Sequence, residues 1–147
     1  MKITKQDLER WKENTLKSAK DLSLDENILN MLNNVSVEVI PKDSGSMFCG
    51  WAQYEPPKVE VYETNPSKYF PKTLQEIWNQ SGMDHELIGH IYNFYAGLED
   101  NELGARRTQV KMAQYRGKNS FLWKMATKIE PVARKFQEYR NQIFYKK

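Results

Sequence analysis

The chain has 147 residues and a mass of 17.4 kDa, which suits one domain spanning 1–147 and leaves too little for a second core. With 39% hydrophobic, 12% aromatic and 28% charged residues it falls outside the disordered and low-complexity classes. The formal charge of +3 hides an asymmetry: residues 1–102 carry 10 Lys and Arg against 17 Asp and Glu, whereas residues 103–147 carry 12 against 2.

No run of about 18 apolar residues is present, and none follows Met1-Lys2-Ile3, so no membrane contact and no cleaved signal are expected. A single cysteine, Cys49, has no internal disulfide partner, which points to a reducing compartment, the cytoplasm by default.

In chain order, Thr4 with Asp7 reads as a capping box and Ile3 with Leu8 as its staple, predicting a helix over 5–20 with Leu8, Trp11, Leu16 and Ala19 on its apolar face. Ser23 with Glu26 repeats the cap before a short helix ending at Asn33-Asn34. The period then becomes two: Val35, Val37 and Val39 predict a strand stopped by Pro41. A turn over 42–46, a strand over 47–54, a turn over 55–58 and a strand over 59–63 complete a small antiparallel meander.

Thr73 and Glu76 read as a third capping box, and Ser81-Gly82 either ends or bends the helix it opens. Residues 83–95 are helical again, stopped by Gly97. A helix from about Asp100 to Arg116 follows, with Gly117 as its stop, and Ser120 opens the last one, with Pro131 as a kink or restart.

The chemistry lies in His85-Glu86-Leu87-Ile88-Gly89-His90, which contains both histidines of the chain. In the pattern H-E-x-x-H, two histidines four apart on one helical face bind zinc, and the glutamate takes a proton from the metal-bound water. Here the second histidine is one residue further on. In an α-helix, positions five apart are separated by roughly 140°, against about 40° for positions four apart. A π-type bulge that absorbs the additional residue returns His90 to the face of His85, and Gly89 eases it.

The hexapeptide resembles the H-E-x-x-G-H motif of the dipeptidyl peptidase III family of zinc exopeptidases. That family takes its third ligand from a glutamate three residues before an alanine, a spacing that Glu102-Leu103-Gly104-Ala105 reproduces, although Arg106 stands where the family has an acid. The order of helix, strands, metal helix and glutamate-bearing helix over about 35–116 is similar to compact gluzincin-like domains, the minigluzincins among them. The resemblance implies an α+β fold with a small antiparallel sheet packed against helices.

It also implies a zinc site of His85, His90 and Glu102, with Glu99 as the competing third ligand, Glu86 as general base, and a peptide or protein substrate. In such domains the edge strand beside the metal helix pairs with an extended peptide, a place open to either 50–54 or 59–62. Tyr115 and Arg106 are the candidates for oxyanion stabilisation.

Simpler expectations stand beside these. Acids in the first turn of a helix are favoured by its dipole, which accounts for Glu99 and Glu102 without a metal. Tyr92, Phe94 and Tyr95 read as packing, Cys49 as a small buried apolar residue, and Trp51 as either core or recognition. The basic residues of the last third, among them Arg106, Arg107, Lys111, Arg116, Arg134, Lys135 and Arg140, with Tyr115, Trp123 and Tyr139 for stacking, are a second candidate function: nucleic-acid binding. Their alternative is the solvated faces of two amphipathic helices. A third possibility is an interaction protein with zinc as a structural staple.

Overall fold

A computed structural model describes residues 2–44, 50–125 and 127–128. Cys49, the helix expected beyond residue 128 with Pro131, and the basic residues of that stretch lie outside the described residues.

Helix α1 (Lys5–Asp21) starts at the Thr4 and Asp7 capping box, with both reciprocal bonds made at 2.9 and 3.2 Å. Leu8, Trp11, Thr15 and Ala19 follow the helical period and are buried. Its C-terminus is closed by Ser23 at φ 61°, with the Ser23 and Leu24 amides donating back to Lys20 and Ala19, a Schellman arrangement built on a serine. Ser23 therefore closes α1, and it is Asp25 that caps α2 (Glu26–Leu32), accepting from the Asn27 and Ile28 amides.

The sheet corrects the expected antiparallel meander. Strands β1 (Ser36–Asp43), β2 (Gly50–Gln53) and β3 (Lys58–Thr64) are ordered β1-β3-β2, with β1 parallel and β2 antiparallel to β3. Alternation identifies strands but carries nothing about which neighbour each one takes, and β2 crosses to the far side of β3. Pro41 does not stop β1 either. The strand is at an edge and its register shifts between Ile40 and Asp43, so a residue without an amide hydrogen is accommodated there.

Val37, Val59 and Val61 face one continuous core with Leu8, Trp11, Leu32, Leu87, Ile88, Ile91 and Met112. Each such side chain contributes roughly 1.5–3 kcal/mol by leaving water.

After a 3₁₀ turn (Pro66–Tyr69), α3 (Lys72–Met83), a π-helical segment (Asp84–Tyr92) and α4 (Asn93–Tyr95) run on without a break, so Ser81-Gly82 ends nothing. The Thr73 and Glu76 box does not form. Pro71 holds the N-cap position, and the Glu76 carboxylate instead accepts from Arg10 (3.0 Å) and from Trp11 Nε1 (2.8 Å) of α1. Gly97 at φ 70° turns the chain after α4, and α5 (Glu102–Gly117) is capped by Asn101, whose side chain accepts from the Gly104 amide. Residues 121–125 and 127–128 are helical, with Ser120 Oγ accepting from the Trp123 amide. No helix among the described residues is long and apolar enough to cross a membrane.

Candidate metal centre

The π segment answers the problem of spacing. Its wider turn brings the rings of His85 and His90 to the same face, with centroids 4.9 Å apart and planes at 76°. The hydrophobic period explains why the segment stays in place, since Leu87, Ile88 and Ile91 are fully buried on its other side.

Gly89 has a second reason to be glycine. A Cβ there would lie 2.7 Å from the Ala105 Cα and 2.8 Å from its Cβ, so Gly89 lets α5 come close enough to deliver Glu102. Asn93 ties the same corner, donating to the carbonyls of Gly89 (2.9 Å) and Glu99 (3.1 Å).

Glu102 Oε1 lies 2.9 Å from His90 Nε2, and its Oε2 lies 3.3 Å from His85 Nε2. Among the described residues these three form a group able to hold a metal ion, with ligand atoms all within 4.8 Å of one another. Glu99, the competing ligand, points elsewhere and pairs with Arg107 at 3.1 Å.

The opposite ring nitrogens also face oxygen. His85 Nδ1 is 2.9 Å from Gln109 Oε1, and His90 Nδ1 is 2.6 Å from the Asp100 carbonyl, with the Tyr54 hydroxyl at 3.4 Å. Each ring thus lies between an oxygen acceptor at Nδ1 and a carboxylate at Nε2, whereas a neutral imidazole has one N–H to give.

Glu86 lies in the same cleft, a space of about 450 Å³ lined by Gly50, Trp51, Ala52, Tyr54, Tyr62, Glu86, His90 and Glu102. Burial pushes its carboxyl up to about 7; the Glu102 charge adds to the rise and His85 opposes it. Glu102 moves the other way, to about 2, chiefly through its hydrogen bond with His85. Burial lowers the pKa of His85, but its bond with Glu102 and the charges of Glu86 and Glu102 raise it on balance. The Tyr54 hydroxyl is pushed up to about 12 by burial and by the neighbouring Asp100 side chain, so it stays protonated at neutral pH.

Of the oxyanion candidates, Tyr115 donates to Asp21 at 2.6 Å, an attachment of α5 to α1. Arg106 Nε is 3.9 Å from Glu102 Oε2, at the border of the cluster. Tyr54 and Tyr62 are the tyrosines that line the cleft; Tyr54 belonged to the 50–54 segment considered for peptide pairing, but its place as a hydroxyl beside the cluster was missed. It lies one residue beyond β2, and its position depends on stacking with Phe94 (centroids 4.6 Å apart) and on Tyr95, whose hydroxyl donates to the Tyr54 carbonyl. Phe94 and Tyr95 therefore do more than fill the core, whereas Tyr92 is core, its hydroxyl accepting from the Asp25 amide. Gln109 was missed as well.

Trp51 is 43% exposed at the cleft and donates to Glu60. Arg106, Arg107 and Arg116, three of the residues considered for phosphate contacts, are paired with Glu102, Glu99 and Asp84. Comparisons with protein-family models, with curated proteins and with solved structures find no match for this chain.

Proposed function

We propose that the chain is a zinc-dependent peptidase of gluzincin-like layout, acting on an extended peptide or protein segment. The observation that carries this is the shortage of protons at the cluster: two imidazoles stand between four oxygen acceptors, and a cation between the Nε2 atoms and Glu102 relieves the shortage. The donor set suits zinc. Ligand atoms about 2.0–2.2 Å from a tetrahedral ion lie roughly 3.3–3.6 Å from one another; here Glu102 stands 2.9 and 3.3 Å from the two Nε2 atoms and the whole set lies within 4.8 Å, so small side-chain shifts would seat the ion.

His85, His90 and Glu102 would hold the ion, which would supply an acidified water and a polarised carbonyl. Glu86, carried by the same π segment and buried in the cleft, is the group suited to take the proton and return it to the leaving amine. The Tyr54 hydroxyl, kept protonated, is the cleft's neutral donor for a developing negative charge.

Strand β2 provides the docking line. Among the described residues it is an edge strand beside the π segment with no strand on its far side, the place for strand addition, whereas β3 is paired on both sides. Trp51 and Tyr62, in edge-to-face contact at 5.7 Å, offer apolar surface to the side chains of that segment.

Purified full-length protein is expected to carry about one zinc per chain, to lose it on His85→Ala or His90→Ala, and to keep it on Glu86→Gln. The last variant should lose about 10²–10⁴-fold in hydrolysis of an unfolded polypeptide, the range for a general base. Protein prepared without chelators that binds no zinc would overturn the reading. Zinc retained with no hydrolysis by the parent protein would leave a structural staple in its place.

A further inference from the structure

Gln109 lies seven residues after Glu102 on α5, two turns on and therefore on the same face. Its Oε1 is 2.9 Å from His85 Nδ1, while its amide nitrogen donates to Ser81 Oγ at 2.8 Å. Ser81 is one turn before His85, so the amide is gripped by the helix that carries the ring it faces.

An amide oxygen only accepts, and the ring opposite it must carry its proton on Nδ1, which leaves the Nε2 lone pair directed at the Glu102 side of the cluster. Reversed, the amide would present N–H to Nδ1, the proton would move to Nε2, and the ring would donate to Glu102 with no lone pair left for an ion there.

We infer that Gln109 is a positioning residue that holds His85 in the tautomer able to bind the metal. His90 receives the same constraint from the Asp100 carbonyl, a backbone group with no donor form. Control by an amide side chain therefore rests on the His85 side of the centre. A neutral amide orients the ring without adding charge, unlike a carboxylate in that position.

This inference rests on the zinc reading, and the test separates the two. Zinc affinity of the full-length protein is measured by competition with a chelating dye, alongside the helical circular dichroism and thermal midpoint of the zinc-free form. Gln109→Leu should weaken zinc binding about 10–100-fold, the usual cost of losing such a partner, with the zinc-free fold retained. Gln109→Glu keeps an oxygen acceptor and should restore affinity to the parent level or above. In ¹⁵N spectra of the zinc-free parent protein, at a pH where the ring is neutral, His85 should carry its proton on Nδ1.

Gln109→Leu within twofold of the parent, Gln109→Glu as weak as Gln109→Leu, or a proton on His85 Nε2 would each overturn the role of Gln109 and leave the centre standing. If Gln109→Leu does not fold, the glutamate variant and the spectrum still decide. A parent protein that takes up no zinc overturns the underlying reading instead.

Discussion

Two ionic clusters adjoin on the π segment, one built on Asp84 and the other on its neighbour His85. Asp84 is fully buried, and its carboxylate accepts from Thr15 Oγ1 at 2.7 Å and from both terminal nitrogens of Arg116, with Arg116 lying over the Trp123 ring at 4.8 Å. Burial raises its pKa, while Arg116 acts in the opposite direction. One anion meets one cation, and every acceptor has a donor. At His85, His90 and Glu102 acceptors outnumber donors, and the cluster opens on a cleft. The first cluster is complete in itself and binds α1, the π segment and α5 together. In the second, even with Arg106 3.9 Å from Glu102, two neutral imidazoles have fewer N–H groups than the oxygens they face, which separates it from a cluster complete in itself.

Breaking the complete cluster should have the largest effect. Arg116→Met leaves the Asp84 carboxylate buried without its partner and should cost about 3–5 kcal/mol in denaturant unfolding, while any folded fraction still binds zinc. An equal loss of stability from His85→Ala in zinc-free protein would erase the distinction between the clusters.

The second prediction concerns pH. In zinc-free protein Glu86 titrates at about 7 folded and near 4.5 unfolded, so between these values the unfolded chain has released a proton that the folded one keeps. Stability should therefore fall as pH rises from 4.5 to 7, by about 3 kcal/mol in all. Glu86→Gln should remove the larger part of that decline, leaving the part that His85 contributes above about 6.5, as chemical denaturation at a series of pH values in the presence of a chelator would reveal.

The smallest effect sharpens the geometry. Gly89→Ala forces a methyl against Ala105 and should cost about 1–3 kcal/mol. It should also weaken zinc binding by moving Glu102 away from the histidines, read by the same dye competition. Unchanged affinity would mean that the approach of α5 does not set the centre.

Much of this was legible in the residues. The Thr4 and Asp7 box starts α1, and the five-residue histidine spacing called for a π segment; these are local patterns, in which neighbours along the chain determine geometry. Glu102, which meets both rings, was pointed to only by the resemblance to a known motif. What could not be read are groups that meet from afar. Gln109 joins His85 across 24 positions and Arg116 joins Asp84 across 32, and no periodicity reports such encounters. The caps at Ser23 and Glu76 were misread for a related reason: the same side chains had other uses, a left-handed turn in one case and Arg10 with Trp11 in the other. Strand order was hidden because β1 and β3 alternate alike whether their neighbour runs parallel or antiparallel.

The contact of Gly89 with Ala105 also bears on which ions could be accepted. Backbone rests on backbone at that point, so the gap between the histidines and Glu102 is set by the main chain and has little freedom to widen. Calcium, which needs six to eight oxygens at about 2.3–2.6 Å, would find one carboxylate and two nitrogens in a frame that cannot expand around it. Selection by radius and by ligand chemistry would then be built into the crossing of two helices, before any substrate arrives.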